Sequence, residues 1–150
     1  MALFDVFDIA GTGMRAQSLR LNVTSSNLAN AENVATRPED AYRARHPIFA
    51  SFMTGNDFGA AGTFVTPGAT GGAESTGVRV LGIVESSAPP VRRYEPDHPQ
   101  ADEDGYIYAT NVNPIEEMVN MLSASRSYQS NVEVLNTTKD LLLGTLRLGQ

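Results

Sequence analysis

Few side chains in this 150-residue sequence could carry chemistry, and their spacing is poor for it. Cysteine is absent, which removes disulfides, thiolate metal sites and sulfur nucleophiles but leaves the compartment open. The two histidines, His46 and His98, each precede a proline and stand far apart, so they read as loop histidines rather than a metal pair. The acidic run Asp102-Glu103-Asp104-Gly105 invites a calcium reading. Aligning Gly105 with the glycine of an EF-hand loop, however, puts Gln100 at the first ligand position and Asn111 at the last, where carboxylates are needed. A solvated turn fits better. The glycine-rich stretch Gly55 to Gly77 lacks a Lys-Ser/Thr partner for phosphate, and no serine sits in a nucleophile-elbow pattern. Spacing does not forbid a carboxylate pair, but nearly all Asp and Glu read as surface or cap residues. The expectation is a protein without catalytic residues, metal or cofactor.

The remaining sequence therefore has to be read as architecture. One compact domain is the size expectation. Net charge is −6, Lys139 is the only lysine, and the arginines are scattered, so no basic stripe offers itself to nucleic acid. The first residues, MALFDVFDIAGTGM, carry Asp5 and Asp8 where a secretory signal needs Lys or Arg. No apolar run is long enough for membrane insertion. A soluble chain that uses no cleaved signal is expected.

All eight prolines lie between Pro38 and Pro114. Because proline costs a helix interior about 3 kcal/mol, long helices are confined to the two ends. The spacing predicts an N-terminal helical segment over 1–32, an irregular middle with short strands over 33–113, and a C-terminal helix over 114–150. The last has a clear start: Asn113 as N-cap, Pro114 at the first helical position, and Glu116 and Glu117 at the positive end of the dipole. Strands are expected at Ala41–Phe49, Gly77–Glu85 and Tyr106–Ala109, the last entered through a turn at Asp104-Gly105. The Gly55–Gly77 stretch reads as a mobile loop. The fold class is α+β, with the two long terminal helices packed as an antiparallel coiled-coil pair around a small β-rich middle.

Both terminal segments carry more than one apolar line. Phe7, Met14, Leu21 and Leu28 recur every seven residues, while Leu19 and Val23 fall on the far side. In the second segment, Met118, Leu122, Tyr128, Val132 and Leu135 share a broad face, and Val134 and Leu141 lie nearly opposite. Apolar stripes are usually core, yet a lone helix pair can bury one seam per helix, so the surplus points to other chains. Between the seams, Ser26, Asn27 and Asn30 allow close approach and supply register-setting hydrogen bonds. These sixteen residues are the expected assembly interface, and the terminal helices are expected to be partly disordered before docking.

Several segments resemble one family. LFDVFDIAGTGMRAQSLRLNVTSSNLANAENV (Leu3 to Val34) is similar to the N-terminal motif of bacterial flagellar rod and hook proteins. YRARHPIF (Tyr42 to Phe49) matches the family's next segment, and YEPDHPQADEDGYIYATNVNPIEEM (Tyr94 to Met118) is the most specific part, resembling proximal-rod members. The Ser-Asn-x-Ala-Asn motif of the family falls on Ser26, Asn27, Ala29 and Asn30. The resemblance implies a non-enzymatic component of the basal-body rod, exported through the flagellum's own apparatus and assembled helically in the periplasm to pass torque from motor to hook. Implied partners are further copies of itself, other rod proteins, a basal-body adaptor at the membrane ring and the flagellar export apparatus. Two other readings stand beside it. One is a helical-hairpin adaptor that binds a single partner and forms no filament, and the other is a small hydrolase using Asp102 or Asp104.

Overall fold

A computed structural model describes residues 2–52 and 77–148. Along the chain come α1 (Ala2–Ala29), β1 (Val34–Ala35), β2 (Arg45–Phe52), β3 (Gly77–Glu85), β4 (Val91–Tyr94), β5 (Tyr106–Ala109) and α2 (Pro114–Leu148). The class is α+β: two helices with two small sheets. Most of the stretch expected as a mobile loop, from Gly55 up to Gly77, lies outside the described residues. One sheet has the order β1-β5-β4, antiparallel throughout, with Val34 opposite Ala109 and Tyr94 opposite Tyr106. The other pairs β2 with β3.

The local chemistry explains the boundaries. At the start of α2, the Asn113 side chain accepts a hydrogen bond from the Ile115 N–H at 3.1 Å, satisfying a donor the helix cannot use itself. Proline-free sequence then runs for 34 residues after Pro114, which lets the helix reach Leu148. The end of α1 is closed by Asn30, whose side-chain amide donates to the Ser26 carbonyl at 2.8 Å. The acidic run makes a turn. Asp102 Oδ1 accepts from the N–H groups of Asp104 and Tyr106 at 3.0 and 2.8 Å, and Gly105 adopts a φ of 79°. The chain is thereby turned into β5. There Tyr106 meets the Tyr94 ring edge-on at 5.1 Å and is covered by the Arg92 guanidinium at 3.5 Å.

The observed strands depart from expectation in two places. β2 begins at Arg45 rather than Ala41, because Ala44 and Arg45 present their N–H groups to asparagine side chains, Asn111 and Asn27, instead of to a neighbouring strand at that point. β1 and β4 were not expected at all. β1 has two residues, and β4 reads Val-Arg-Arg-Tyr with every residue exposed, so neither shows the alternation that marks a strand.

The chain divides into two compact units: Met1–Leu19 with Ile48–Gly82 and Ala124–Gln150, and Arg20–Pro47 with Ile83–Ser123. In the first, the Thr12 hydroxyl accepts from the Val78 N–H at 3.2 Å and ties α1 to β3. Gly13 lies so near α2 that a Cβ there would come within 3.0 Å of the Asn131 side chain. Gly77 is packed just as closely, since its Cβ would fall 2.7 Å from the Thr12 hydroxyl.

The second unit is organised around Asn27, whose side chain is completely buried. Its Nδ2 donates to the Arg45 carbonyl at 2.8 Å and to Glu117 Oε2 at 3.2 Å. Its Oδ1 accepts from the Arg45 N–H at 3.0 Å and from the Tyr42 hydroxyl at 3.0 Å. Every donor and acceptor site of the amide is used. The side chain mimics a strand partner for Arg45 and at the same time satisfies Glu117, a buried carboxylate on α2. Asn111 repeats the device, accepting from the Ala44 N–H at 2.7 Å and donating to the Ala88 carbonyl at 2.9 Å.

These contacts make two positions critical for stability. Asn27→Ala strands four partner groups, among them the buried Glu117 carboxylate, and is expected to destabilise the fold by about 3 kcal/mol. The nearly isosteric Asn27→Asp should be worse still, because it loses both donors and sets a carboxylate against Glu117. Chemical denaturation of the two variants checks the ranking, which a purely space-filling Asn27 would not produce. Gly105→Ala forces a left-handed backbone onto a residue with a Cβ and drives that atom to 3.0 Å from the Tyr94 ring. The expected loss is about 1–2 kcal/mol in the same measurement.

Candidate assembly surface

The residues most withdrawn from solvent on the helices are small or polar. On α1 they are Ala10, Ala16, Val23, Thr24 and Asn27, and on α2 they are Glu117, Ala124 and Thr138. Apart from Ala16 and Val23, they fall on a heptad alternation of three and four. On α2 it runs through Glu117, Met121, Ala124, Tyr128, Asn131, Leu135, Thr138 and Leu142; on α1 it runs through Ala10, Gly13, Gln17, Arg20, Thr24 and Asn27. Polar contacts accompany it: Arg20 Nη2 donates to Asn120 Oδ1 at 3.1 Å, and the Thr24 hydroxyl turns back to the Arg20 and Leu21 carbonyls at 3.0 Å.

Large apolar side chains lie elsewhere. Ile115, Met118, Val119 and Leu122 are 73, 56, 63 and 54% exposed, and their spacing sets them on the side of α2 opposite Glu117 and Ala124. Further along the helix, Leu141, Leu143 and Leu146 are 63, 45 and 66% exposed. Contiguous apolar stripes of this kind are the mark of an interaction surface. The exposed ion pairs, Arg37–Glu39, Arg45–Glu85 and Arg93–Glu95, contribute little to stability by comparison.

The expected interface residues separate accordingly. Met118, Leu122, Tyr128, Val134 and Leu141 are exposed, as is Ser26. Phe7, Met14, Leu19, Leu21, Leu28, Asn30, Val132 and Leu135 are half-buried. Val23 and Asn27 are buried within the chain, and Asn27 directs all its hydrogen bonds inward. Sequence reasoning passed over Ile115, Val119, Leu143 and Leu146. It also passed over the inward line of Ala10, Gly13, Gln17, Thr24, Ala124 and Thr138. A small-residue heptad was the available signal, and a count of large apolar residues does not register it.

Nothing in this arrangement resembles a reaction centre. Among the described residues no group of three or more His, Cys, Asp or Glu could hold a metal, and no helix is long and apolar enough to cross a membrane. His98 Nδ1 accepts from the Gln100 N–H at 3.1 Å, a local turn contact. A shallow hollow beside β5 is lined by Arg37, Asp102, Glu103 and Tyr108, with no nucleophile set against a base.

Comparison with known proteins gives this surface a context. Residues 7–35 match the family model described as flagella basal body rod protein. Residues 103–148 match the model for the C-terminal region of flagellar basal body rod FlgEFG proteins. The flagellar basal-body rod protein FlgC of Escherichia coli O6:H1 is 48% identical over 150 residues, with both chains covered completely. FlgC of Salmonella typhimurium is 48% identical over 151 residues, also over the full length of both. FlgC of Borreliella burgdorferi is 37% identical over 154 residues, covering all of this chain and 99% of that protein. With small and polar residues inside both terminal helices, apolar stripes outside on α2, and full-length likeness to these proteins, the chain belongs to the flagellar basal-body rod protein family and is a structural rod component, not an enzyme.

Proposed function

We propose that this chain is a proximal-rod subunit that assembles helically with itself and with other rod proteins and passes torque from motor to hook. The observation that carries the proposal is the division of α2: small and polar residues inward, Ile115, Met118, Val119 and Leu122 outward. Assembly with other rod proteins comes with membership of the family. Contacts that repeat without closing a ring generate a helical filament, and close-packed seams resist the sliding that torque would otherwise cause.

In this reading α1 and α2 pair as an antiparallel coiled coil. Heptad spacing on both helices supports it. So does the order of contacts in the second unit, where Arg20 meets Asn120 and Asn27 meets Glu117. Likewise the subunit travels through the flagellar export apparatus, works in the periplasm, and touches a basal-body adaptor at the membrane ring. A hairpin adaptor that binds one partner is the weaker reading, because the full-length relatives are rod proteins.

The assembly face and the fold can be tested separately. Met118→Asp and Leu122→Asp place charge on exposed positions, so far-UV circular dichroism and the denaturation midpoint should change little, by under about 0.5 kcal/mol. In a flagellated cell lacking its own copy, the same variants should fail to restore swimming or to enter purified basal bodies. Full motility with either variant would remove α2's outer face from assembly. At low concentration the free chain should show less helix than the assembled one; full helicity with a cooperative melt in a monodisperse monomer would contradict docking-coupled ordering.

A further inference from the structure

α2 carries two exposed stripes with the same internal spacing. Ile115, Val119 and Leu122 stand at i, i+4 and i+7, and so do Lys139, Leu143 and Leu146. A shift of roughly 24 residues, about 36 Å along a helix with a turn of about 120° around its axis, superimposes one set on the other. All six side chains are exposed. Within one chain both sets lie on a single helix, so neither can cover the other.

We infer that the N-terminal stripe of α2 docks on the C-terminal stripe of α2 in a second copy of this chain, the two helices running parallel with that stagger. This rests on the rod reading and deepens it by naming the partner of one face. In this register Val119 lies against Leu143 and Leu122 against Leu146. Lys139 lies against Ile115, with its ammonium next to Glu116 on the following residue. Glu116 and Lys139 are both exposed, and neither forms an ion pair among the described residues, so the match is electrostatic as well as apolar. The lysine stem covers Ile115 while its charge stays wet. Because two different patches of one chain meet, the contact is heterologous and repeats indefinitely, as a helical array requires. An isologous contact of the first stripe with itself would set Glu116 near Glu116 and end at a dimer.

The chain has no cysteine, so introduced thiols report contacts cleanly. Full-length chains carrying Val119→Cys or Leu143→Cys are co-expressed in a flagellated cell lacking its own copy, and mild oxidation is applied to purified basal bodies. The 119–143 disulfide should exceed either homodimer several-fold. Glu116→Lys should reduce that product, and adding Lys139→Glu should restore it. A dominant 119–119 product shows an isologous contact and overturns the inference, as does an adduct of the Val119→Cys chain only to a rod protein of different size. Swimming of the same strains reads the rod function independently. Strains that swim but give no 119–143 product retain the rod reading and overturn this contact. Strains that neither swim nor incorporate the singly substituted chains are replaced by Leu122→Cys with Leu146→Cys, which sample the same stagger three residues later on exposed positions, and absence of that product also overturns it.

Discussion

A primary amide buried out of water is stable only if its two hydrogens and its oxygen all find partners. Asn27 finds four partners: the N–H and C=O of Arg45, the Tyr42 hydroxyl and the Glu117 carboxylate. These belong to the start of β2, the segment before it and the first turns of α2. One side chain thus fixes where the chain leaving α1 must return and where α2 must lie beside it. Ser26 and Asn30, on either side, serve the same helix end, with Asn30 closing its last turn. Asparagine-rich sequence that would ordinarily break a helix here terminates one and joins it to its surroundings.

Because the polar groups around Asn27 satisfy one another, the helix contact there needs no large apolar groups. Gly13 approaches α2 closely enough that a methyl group would touch Asn131, and Ala124 is wholly enclosed. Small side chains let helices come close, and close approach leaves little room for leucine. Ile115, Met118, Val119 and Leu122 therefore remain outside. For a solitary protein this would be a liability; in the proposed rod assembly it is the means of joining neighbours. No reactive cluster accompanies this interior among the described residues: His98 sits in a turn, His46 lies in β2 rather than in the loop expected for it, and the acidic run shapes the entry to β5.

Much of the fold could be read before any coordinates. Confinement of the prolines to the middle placed the two helices, and the Asn113-Pro114 pair placed the start of α2 at the residue where it begins. β3 and β5 were legible at their full extents, because β-branched and aromatic runs there are bounded by glycine and turn residues. β1 and β4 were not. Strands of two and four residues exist only through their pairing with β5, and pairing is a long-range property that a local window does not contain.

What the sequence by itself determined is the order and type of the long elements, their caps, the excess of apolar lines on the helices, and the family motifs at both ends. Those come from local rules: proline geometry, capping chemistry and helical periodicity. Only the tertiary structure decided which line faces inward. Periodicity gave the heptads of Phe7, Met14, Leu21 and Leu28 as readily as those of Ala10, Gln17 and Thr24, and hydrophobicity alone favours the first. The second is buried because helix separation depends on side-chain size across the contact, and because Asn27 can be satisfied only when Arg45 and Glu117 are brought to it from distant parts of the chain.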